Sequence, residues 1–558
     1  MIETKDLTFI YAGSKTPALK DISLTINDSE FVLLAGPSGC GKSTLCRCIN
    51  GLIPSFYGGK ISGSVEVQNI DAFHTPTKEM AKKVGMVFQD PENQLVAMDV
   101  EREIAFGLEN CGFSKTIMAK RMEEVLDTVG IDHLRHRQLS TLSGGEKQKT
   151  AIAAVLVLHP EILVLDEPTS ELDPKGAEEV IQLIKRLNEE LGLTVLLVEH
   201  RMDRVLQSVD RLILMKNGLI SYDGNSRDWI DRTGNELPDI GIPPIARLSR
   251  ELKKKNNNLQ IPLTIKEGRQ VFSSMFKENK WKKCNSNVVQ DGIDKDNCIV
   301  EIKNLWYKYQ DGPTVLKDIN LSIFKGEFIA IVGRNAAGKT TLAKLLTGLL
   351  KPSKGKVKIN GIYTTQTSVE HLARDVGYVF QDPNVHLFAD TVEEEITFMM
   401  RNLGFSNERI EKSLDEILRQ FNLEHHRHEY PRSLSSGEKQ RVALSSVIAA
   451  QPQILILDEP TRGLDYKLKK NLMHYLAEYK KGGGTILLIT HDIELIAEFG
   501  KRVLLMSEGN IIADGTKHQV LANSLHFSPQ INRLIQPFTK YGISSDTLTV
   551  DEMLRGLQ

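Results

Sequence analysis

The chain repeats itself once. Residues 99–115 read DVEREIAFGLENCGFSK and residues 391–407 read TVEEEITFMMRNLGFSN, while ILVLDEPTSELD at 162–173 returns as ILILDEPTRGLD at 454–465. The openings match as well, with Tyr11 ahead of Ala18-Leu19-Lys20-Asp21-Ile22 and Tyr309 ahead of Val315-Leu316-Lys317-Asp318-Ile319. A repeat roughly 290 residues long is far beyond the period of a solenoid, whose units run about 20–45 residues. It means two copies of one domain, which suits a length of 558 residues. Fainter matches extend to the tails, where Ile245-Ala246-Arg247-Leu248 parallels Ile531-Asn532-Arg533-Leu534. The expected organisation is a first domain over 1–272 with a C-terminal extension from about 236. A polar linker over 273–297 and a second domain over 298–558, its extension starting near 520, complete it.

Within each copy, short β-branched runs alternate with amphipathic helical stretches, as at 31–35 before a helix from Lys42 and 162–165 before a helix from Pro174. That alternation predicts an α/β core with a mainly parallel sheet. Charge is balanced, 70 Lys+Arg against 72 Asp+Glu, so basicity does not point to nucleic acid. No apolar run approaches the ~18 residues of a membrane helix, and the acidic start Met1-Ile2-Glu3-Thr4-Lys5-Asp6 does not read as a signal peptide. Any membrane role is expected to come through a partner. The six cysteines (Cys40, Cys46, Cys48, Cys111, Cys284, Cys298) form no metal spacing and read as free thiols in a reducing cytosol.

Each copy carries one glycine-rich loop between an apolar strand and a helix. The first is Gly36-Pro37-Ser38-Gly39-Cys40-Gly41-Lys42-Ser43-Thr44, and the second is Gly333-Arg334-Asn335-Ala336-Ala337-Gly338-Lys339-Thr340-Thr341. Glycines let backbone N–H groups curl round a polyphosphate, and the helix N-terminus adds partial positive charge. Lys42 and Lys339 reach the terminal phosphates, and the Ser43 and Thr340 hydroxyls suit Mg²⁺. Further along, two buried-strand patterns end in paired carboxylates, Asp166-Glu167 and Asp458-Glu459. Strand ends of this kind are where ligands sit in open parallel sheets. Asp166 and Asp458 suit a Mg²⁺ contact through water; Glu167 and Glu459 suit a base that polarises the attacking water.

With these loops in place, Leu142-Ser143-Gly144-Gly145-Glu146-Lys147-Gln148 and Leu434-Ser435-Ser436-Gly437-Glu438-Lys439-Gln440 carry the decisive resemblance. They resemble the signature motif of ATP-binding cassette (ABC) ATPases, and the likeness covers nearly the whole chain. It implies tandem P-loop cassettes, each with an antiparallel β subdomain, a helical subdomain and a small C-terminal extension. By the same resemblance Gln89 and Gln381 match the glutamine loop, a Mg²⁺ and water contact. His200 and His491 match the switch histidine, and Tyr11 and Tyr309 the aromatic that stacks on adenine. Asp173 and Asp465 match the loop that crosses the dimer interface. Two cassettes of this family pack head to tail, so each ATP lies between one P-loop and the other signature. One site would pair Lys42, Asp166, Glu167 and His200 with Ser435. The other would pair Lys339, Asp458, Glu459 and His491 with Ser143. Two glycines of the pattern are replaced, by Ser436 and by Ala336, whose Cβ is expected to crowd the nucleotide. Both sites keep Lys, Asp, Glu and His, so both are expected to hydrolyse ATP, unequally.

The segments Gln89-Asp90-Pro91-Glu92-Asn93-Gln94-Leu95 and Gln381-Asp382-Pro383-Asn384-Val385-His386-Leu387 narrow the resemblance further. They look like the short helix after the glutamine loop in ATPases of energy-coupling factor importers. That branch implies a peripheral ATPase at the cytoplasmic face of the cell membrane, with a transmembrane coupling subunit and a membrane substrate-binding subunit as partners. Its cargo is a vitamin, a vitamin precursor or a transition-metal ion. Gln94 and His386 are then expected to pass cassette motion to coupling helices. The alternatives are a tandem sugar-importer ATPase and a ribosome-associated double-cassette translation factor. The short Asn-rich linker and near-neutral charge argue against the ribosomal role.

Overall fold

The computed structural model describes residues 1–170, 172–232, 240–254, 259–278, 297–310 and 312–557. The start expected for the first extension and most of the expected linker lie outside the described residues. Contacts divide the chain into two units, Met1–Thr264 and Ile265–Gln558.

In the first unit, strands β1 (Ile2–Tyr11), β2 (Leu19–Ile26), β4 (Gly59–Val67) and β5 (Ile70–Asp71) form an antiparallel sheet in the order β2-β1-β4-β5. A second sheet contains β3 (Phe31–Ala35), β6 (Val84–Val87), β7 (Ile162–Asp166), β8 (Thr194–Val198), β9 (Arg211–Lys216) and β10 (Leu219–Gly224). Its order is β10-β9-β3-β8-β7-β6, parallel throughout except for the β9–β10 edge pair. Every residue of β3, β6, β7 and β8 is buried. That is why these segments read as unbroken apolar runs: a parallel strand covered on both faces has no solvent side to alternate with. The second unit repeats the plan. Its antiparallel sheet joins β11 (Cys298–Lys308), β12 (Thr314–Phe324), β14 (Lys354–Ile359) and β15 (Ile362–Tyr363) in the order β12-β11-β14-β15. Its main sheet joins β13 (Phe328–Gly333), β16 (Val376–Val379), β17 (Ile454–Asp458), β18 (Thr485–Ile489), β19 (Arg502–Ser507) and β20 (Asn510–Thr516) in the order β16-β17-β18-β13-β19-β20.

A helical layer is built on each main sheet. In the first unit the helices Val100–Cys111, Lys115–Val129 and Gly144–Leu156 bury Ile104, Leu108, Leu126 and Ile152 in one core with Leu163 and Leu165 of β7. The helices Val392–Asn402, Asn407–Gln420 and Ser436–Ile448 do the same in the second, with Ile396, Leu414 and Ile448 against Leu455 and Leu457. The acidic repeat that first revealed the duplication has a local task here. Glu103 is buried and its carboxylate accepts the N–H groups of Val96 and Ala97; Glu395 takes those of Phe388 and Ala389.

The unit boundary falls at Thr264/Ile265, eight residues ahead of the expected end at 272. The helix Ile265–Glu278 continues the first copy in sequence but packs within the second unit. Phe272 and Phe276 are fully buried, Phe276 meets Phe538 edge to face at 5.0 Å, and Arg269 donates to the Arg533 carbonyl at 2.6 Å. Asn532 sits at the centre of the second extension, its amide donating to the carbonyls of Ser545 and Thr547.

Candidate ATP sites

The P-loops leave the C-terminal ends of β3 and β13 and run into the helices Lys42–Ile49 and Lys339–Leu346. Gly36 has φ +153, and a Cβ there would run into the Met215 carbonyl of β9, so only glycine fits. Lys42 Nζ lies between the carbonyls of Gly36 (3.0 Å) and Pro37 (2.9 Å), and Lys339 Nζ between those of Gly333 (2.8 Å) and Arg334 (2.9 Å). Both lysines are nearly buried, so the loop shapes a single direction for the ammonium. Ala336 stands at φ +61, where Gly39 has +75. A side chain at position 39 would meet no protein atom within 4 Å, so within the unit the cost of Ala336 is backbone strain of about 1 kcal/mol.

Sheet register brings the carboxylates to His200 and His491. Asp166 pairs with Val198 across β7 and β8, and Asp458 with Ile489 across β17 and β18. One residue on, Glu167 and Glu459 donate their N–H groups to those same neighbours, Val198 and Ile489. Both glutamates adopt the left-handed region, with φ +52 and +50, a strained backbone that turns the side chain off the strand axis. Glu167 then faces His200 Nε2 at 2.8 Å and accepts from Gln89 Nε2 at 3.0 Å. Glu459 faces His491 Nε2 at 3.4 Å; Gln381, at the position of Gln89, is exposed.

Burial of paired carboxylates makes each site seek a cation. Desolvation, reinforced by Glu167, lifts Asp166 to about 6, with the Ser43 hydroxyl pulling the other way. Burial and then Asp458 push Glu459 up to about 8, into the range of a base that works near neutral pH. Asp166 Oδ1 is buried and has no hydrogen-bond partner among the described residues. In the second unit Asp458 Oδ2 accepts from Thr340 at 2.6 Å and from Tyr378 at 3.3 Å. An all-oxygen set with a buried, unsatisfied carboxylate oxygen fits a hard divalent cation such as Mg²⁺.

Tyr11 and Tyr309 lie against the P-loop helices, their hydroxyls 3.1 Å from Thr44 and 3.3 Å from Thr341. Edge-to-face contacts with Phe9 and Tyr307 hold the rings. Arg47 donates to the Tyr11 hydroxyl and covers the Tyr57 ring.

The signatures open helices. Ser143 caps Gly144–Leu156 in a reciprocal box, its N–H donating to Glu146 at 2.7 Å. Ser435 donates both its N–H (2.9 Å) and its hydroxyl (2.7 Å) to Glu438. Lys147, inside the first signature, forms an ion pair with Glu92 of the turn that follows the glutamine loop. Asp173 and Asp465 cap the helices Pro174–Leu191 and Tyr466–Lys481.

Gln94 and His386 turn inward. The Gln94 carbonyl oxygen accepts the Phe88 N–H at 3.0 Å, and His386 Nε2 accepts the Phe380 N–H at 2.9 Å. Burial holds the His386 pKa down at about 4, so its ring stays neutral and can accept. Two unlike side chains thus close the same turn.

Tyr378, whose hydroxyl donates to Asp458, belongs to none of the motifs, and Glu199, next to His200, accepts from the N–H and hydroxyl of Thr169. Tyr378 replaces Met86 between the copies, a change of polarity next to the carboxylates that was a visible signal.

The ABC transporter family model matches residues 19–170 and 316–462. A relative in Methanosarcina mazei, an ABC transporter ATP-binding protein, is 38% identical over 536 residues, covering 93% of this chain and 90% of its own. Another in Caldanaerobacter subterraneus subsp. tengcongensis is 40% identical over 516 residues, covering 91% and 90%. The solved structure of cbiO1 from Clostridium perfringens, part of the ABC transporter complex cbiONQ, is 34% identical and covers 43% of this chain and 95% of its own, with a TM-score of 0.39. With a cassette in each half, the chain belongs to the ABC transporter family as an ATP-binding, ATP-hydrolysing protein.

Proposed function

We propose that this ATPase energises import of a small solute through an energy-coupling factor complex, at the cytoplasmic face of the membrane. The cargo class is a vitamin, vitamin precursor or transition-metal ion. The observation that carries this reading is the closed turn after each glutamine loop. Gln94 and His386 lock it from inside, while exposed apolar side chains flank it: Val96, Met98 and Phe106 in the first unit, Val385, Phe388 and Phe398 in the second. A rigid turn edged by apolar surface suits a docking helix of a transmembrane coupling subunit. Among the described residues no helix is long and apolar enough to cross a membrane, so the pathway would belong to partners.

In this reading the cassettes exchange signatures, so that Ser435 serves the ATP on Lys42 and Ser143 the ATP on Lys339. The P-loop amides and lysine bind and orient the phosphates. Glu167 or Glu459 takes the proton of the attacking water, and His200 or His491 fixes that carboxylate and contacts the γ-phosphate. Ser43, Gln89 and Asp166 would hold Mg²⁺ at one site, and Thr340, Gln381 and Asp458 at the other. The chemistry such an ion would supply when bound is neutralisation of phosphate charge. Closure on ATP and reopening after hydrolysis would move the docking turns.

The test is a mild-detergent pull-down of the tagged chain from its native membrane, with partners identified by mass spectrometry. One transmembrane coupling subunit with a small membrane substrate binder is the expected catch. A sugar permease alone, or ribosomal proteins, would overturn the importer branch.

A further inference from the structure

The two signatures are held by different chemistry. In the first unit the basic side chains acting on the Glu146 carboxylate are Arg137, at 3.8 Å, and His133. The repeat places Glu429 at the position of Arg137 and His426 at that of Leu134. His426 ends the 3-10 turn Glu424–His426 and spans two carboxylates, with Nδ1 3.0 Å from Glu429 and Nε2 3.4 Å from Glu438. Glu438 is the acceptor for both the N–H and the hydroxyl of Ser435. The ring is three-quarters shielded from solvent, so it is a fixed strut between the loop and the signature helix.

We propose that His426 is a positioning residue for ATP hydrolysis, holding Glu438 so that the Ser435 hydroxyl and amide are preset for the phosphate they serve. This rests on the exchanged-signature reading above. Its physical core is the difference between two groups. Arg137 is charged at any accessible pH, whereas a histidine bridges two carboxylates through two N–H donors only while it is protonated. The charged groups facing the ring are Glu429 from its own loop and Glu438 from the signature helix. Arg441, one turn along that helix, lies 3.8 Å from Glu438 and is anchored on the carbonyls of Phe421 and Asn422. Arg427 beside it is engaged by Glu393 and Asp415. The hydrogen bond to Glu438 raises His426 to about 9, against burial and with help from Glu429. The bridge is therefore complete at neutral pH and dissolves as pH rises through about 9. Only the catalytic site built with Ser435 should feel this.

The experiment measures steady-state phosphate release by the full chain with His426→Leu or His426→Arg, each in a Glu459→Gln or a Glu167→Gln background. In the Glu459→Gln background, where the Lys42 site remains, His426→Leu should lower kcat about tenfold with KM for ATP little changed, as expected for loss of preorganised donors. In the Glu167→Gln background it should change neither. His426→Arg should keep kcat and abolish the decline above pH 9. Unchanged kcat with His426→Leu, or an equal fall in both backgrounds, would overturn the positioning role. A fall confined to the Glu167→Gln background would instead overturn the exchange of signatures, because Ser435 would then serve its own cassette. Should a single Glu→Gln change silence both sites, the otherwise unmodified chain decides by its pH profile. Loss of activity through pH 9 in the natural protein and none in His426→Arg supports the role, and superimposable profiles overturn it.

Discussion

At the residue scale, the sites depend on side chains whose geometry the backbone has already paid for. Glu167 and Glu459 each stand at positive φ directly after a buried aspartate, and that strain keeps the carboxylate on the histidine. Glu103 and Glu395 do the opposite work, relieving two backbone N–H groups apiece. Glu103→Ala should therefore cost about 1–3 kcal/mol, lowering the melting temperature seen by calorimetry, while Glu103→Gln, which keeps an acceptor, should cost less. The P-loops, the paired carboxylates and the histidines were legible because glycine, lysine and acid types at fixed spacing have few other uses. The inward role of Gln94 was not legible. A glutamine beside a docking surface reads as a contact until the Phe88 N–H is seen pointing at it.

At the scale of elements, the apolar runs announced the parallel strands, since β3, β7 and β8 are buried on both faces. Register was not legible: that Asp166 lies opposite Val198 depends on which strands are neighbours, a tertiary choice. Helix starts carry measurable weight. Asp173→Ala removes the acceptor for the Gly176 N–H and should cost about 1 kcal/mol in chemical denaturation. The second signature helix should show a distinct pH dependence. Burial opposes ionisation of Glu438, yet hydrogen bonds from His426 and Ser435 hold it down at about 2. Its contribution is present above about 4.5 and lost as pH falls through about 2, whereas that of His426 is complete below about 6.5 and lost as pH rises through about 9. Hydrogen-exchange protection across Ser436–Ile448, measured relative to the base-catalysed intrinsic rate at each pH, should fall above pH 9 in the natural protein and not in His426→Arg.

For the whole molecule, duplication explains why one chain holds two sets of chemistry, and the repeat is legible in the sequence alone. The boundary was harder, because the helix Ile265–Glu278 follows directly on the first copy along the chain yet buries Phe272 and Phe276 in the second unit. Nothing in an amphipathic helix names the surface it covers. Phe276→Ala should destabilise by about 3–5 kcal/mol, with faster hydrogen exchange at Gln530–Ile535 and Gln536–Tyr541 and none added in the first unit. Each P-loop is proposed to work with the glutamate of its own half, so the two sites should depend on Glu167 and Glu459 respectively. The most direct measurement is phosphate release and nucleotide binding by the full chain carrying Glu167→Gln and Glu459→Gln together. ATP should still bind, because both P-loops are intact, while turnover should fall at least about a hundredfold. Steady-state hydrolysis at the natural rate in that double variant would contradict the assignment of the glutamates.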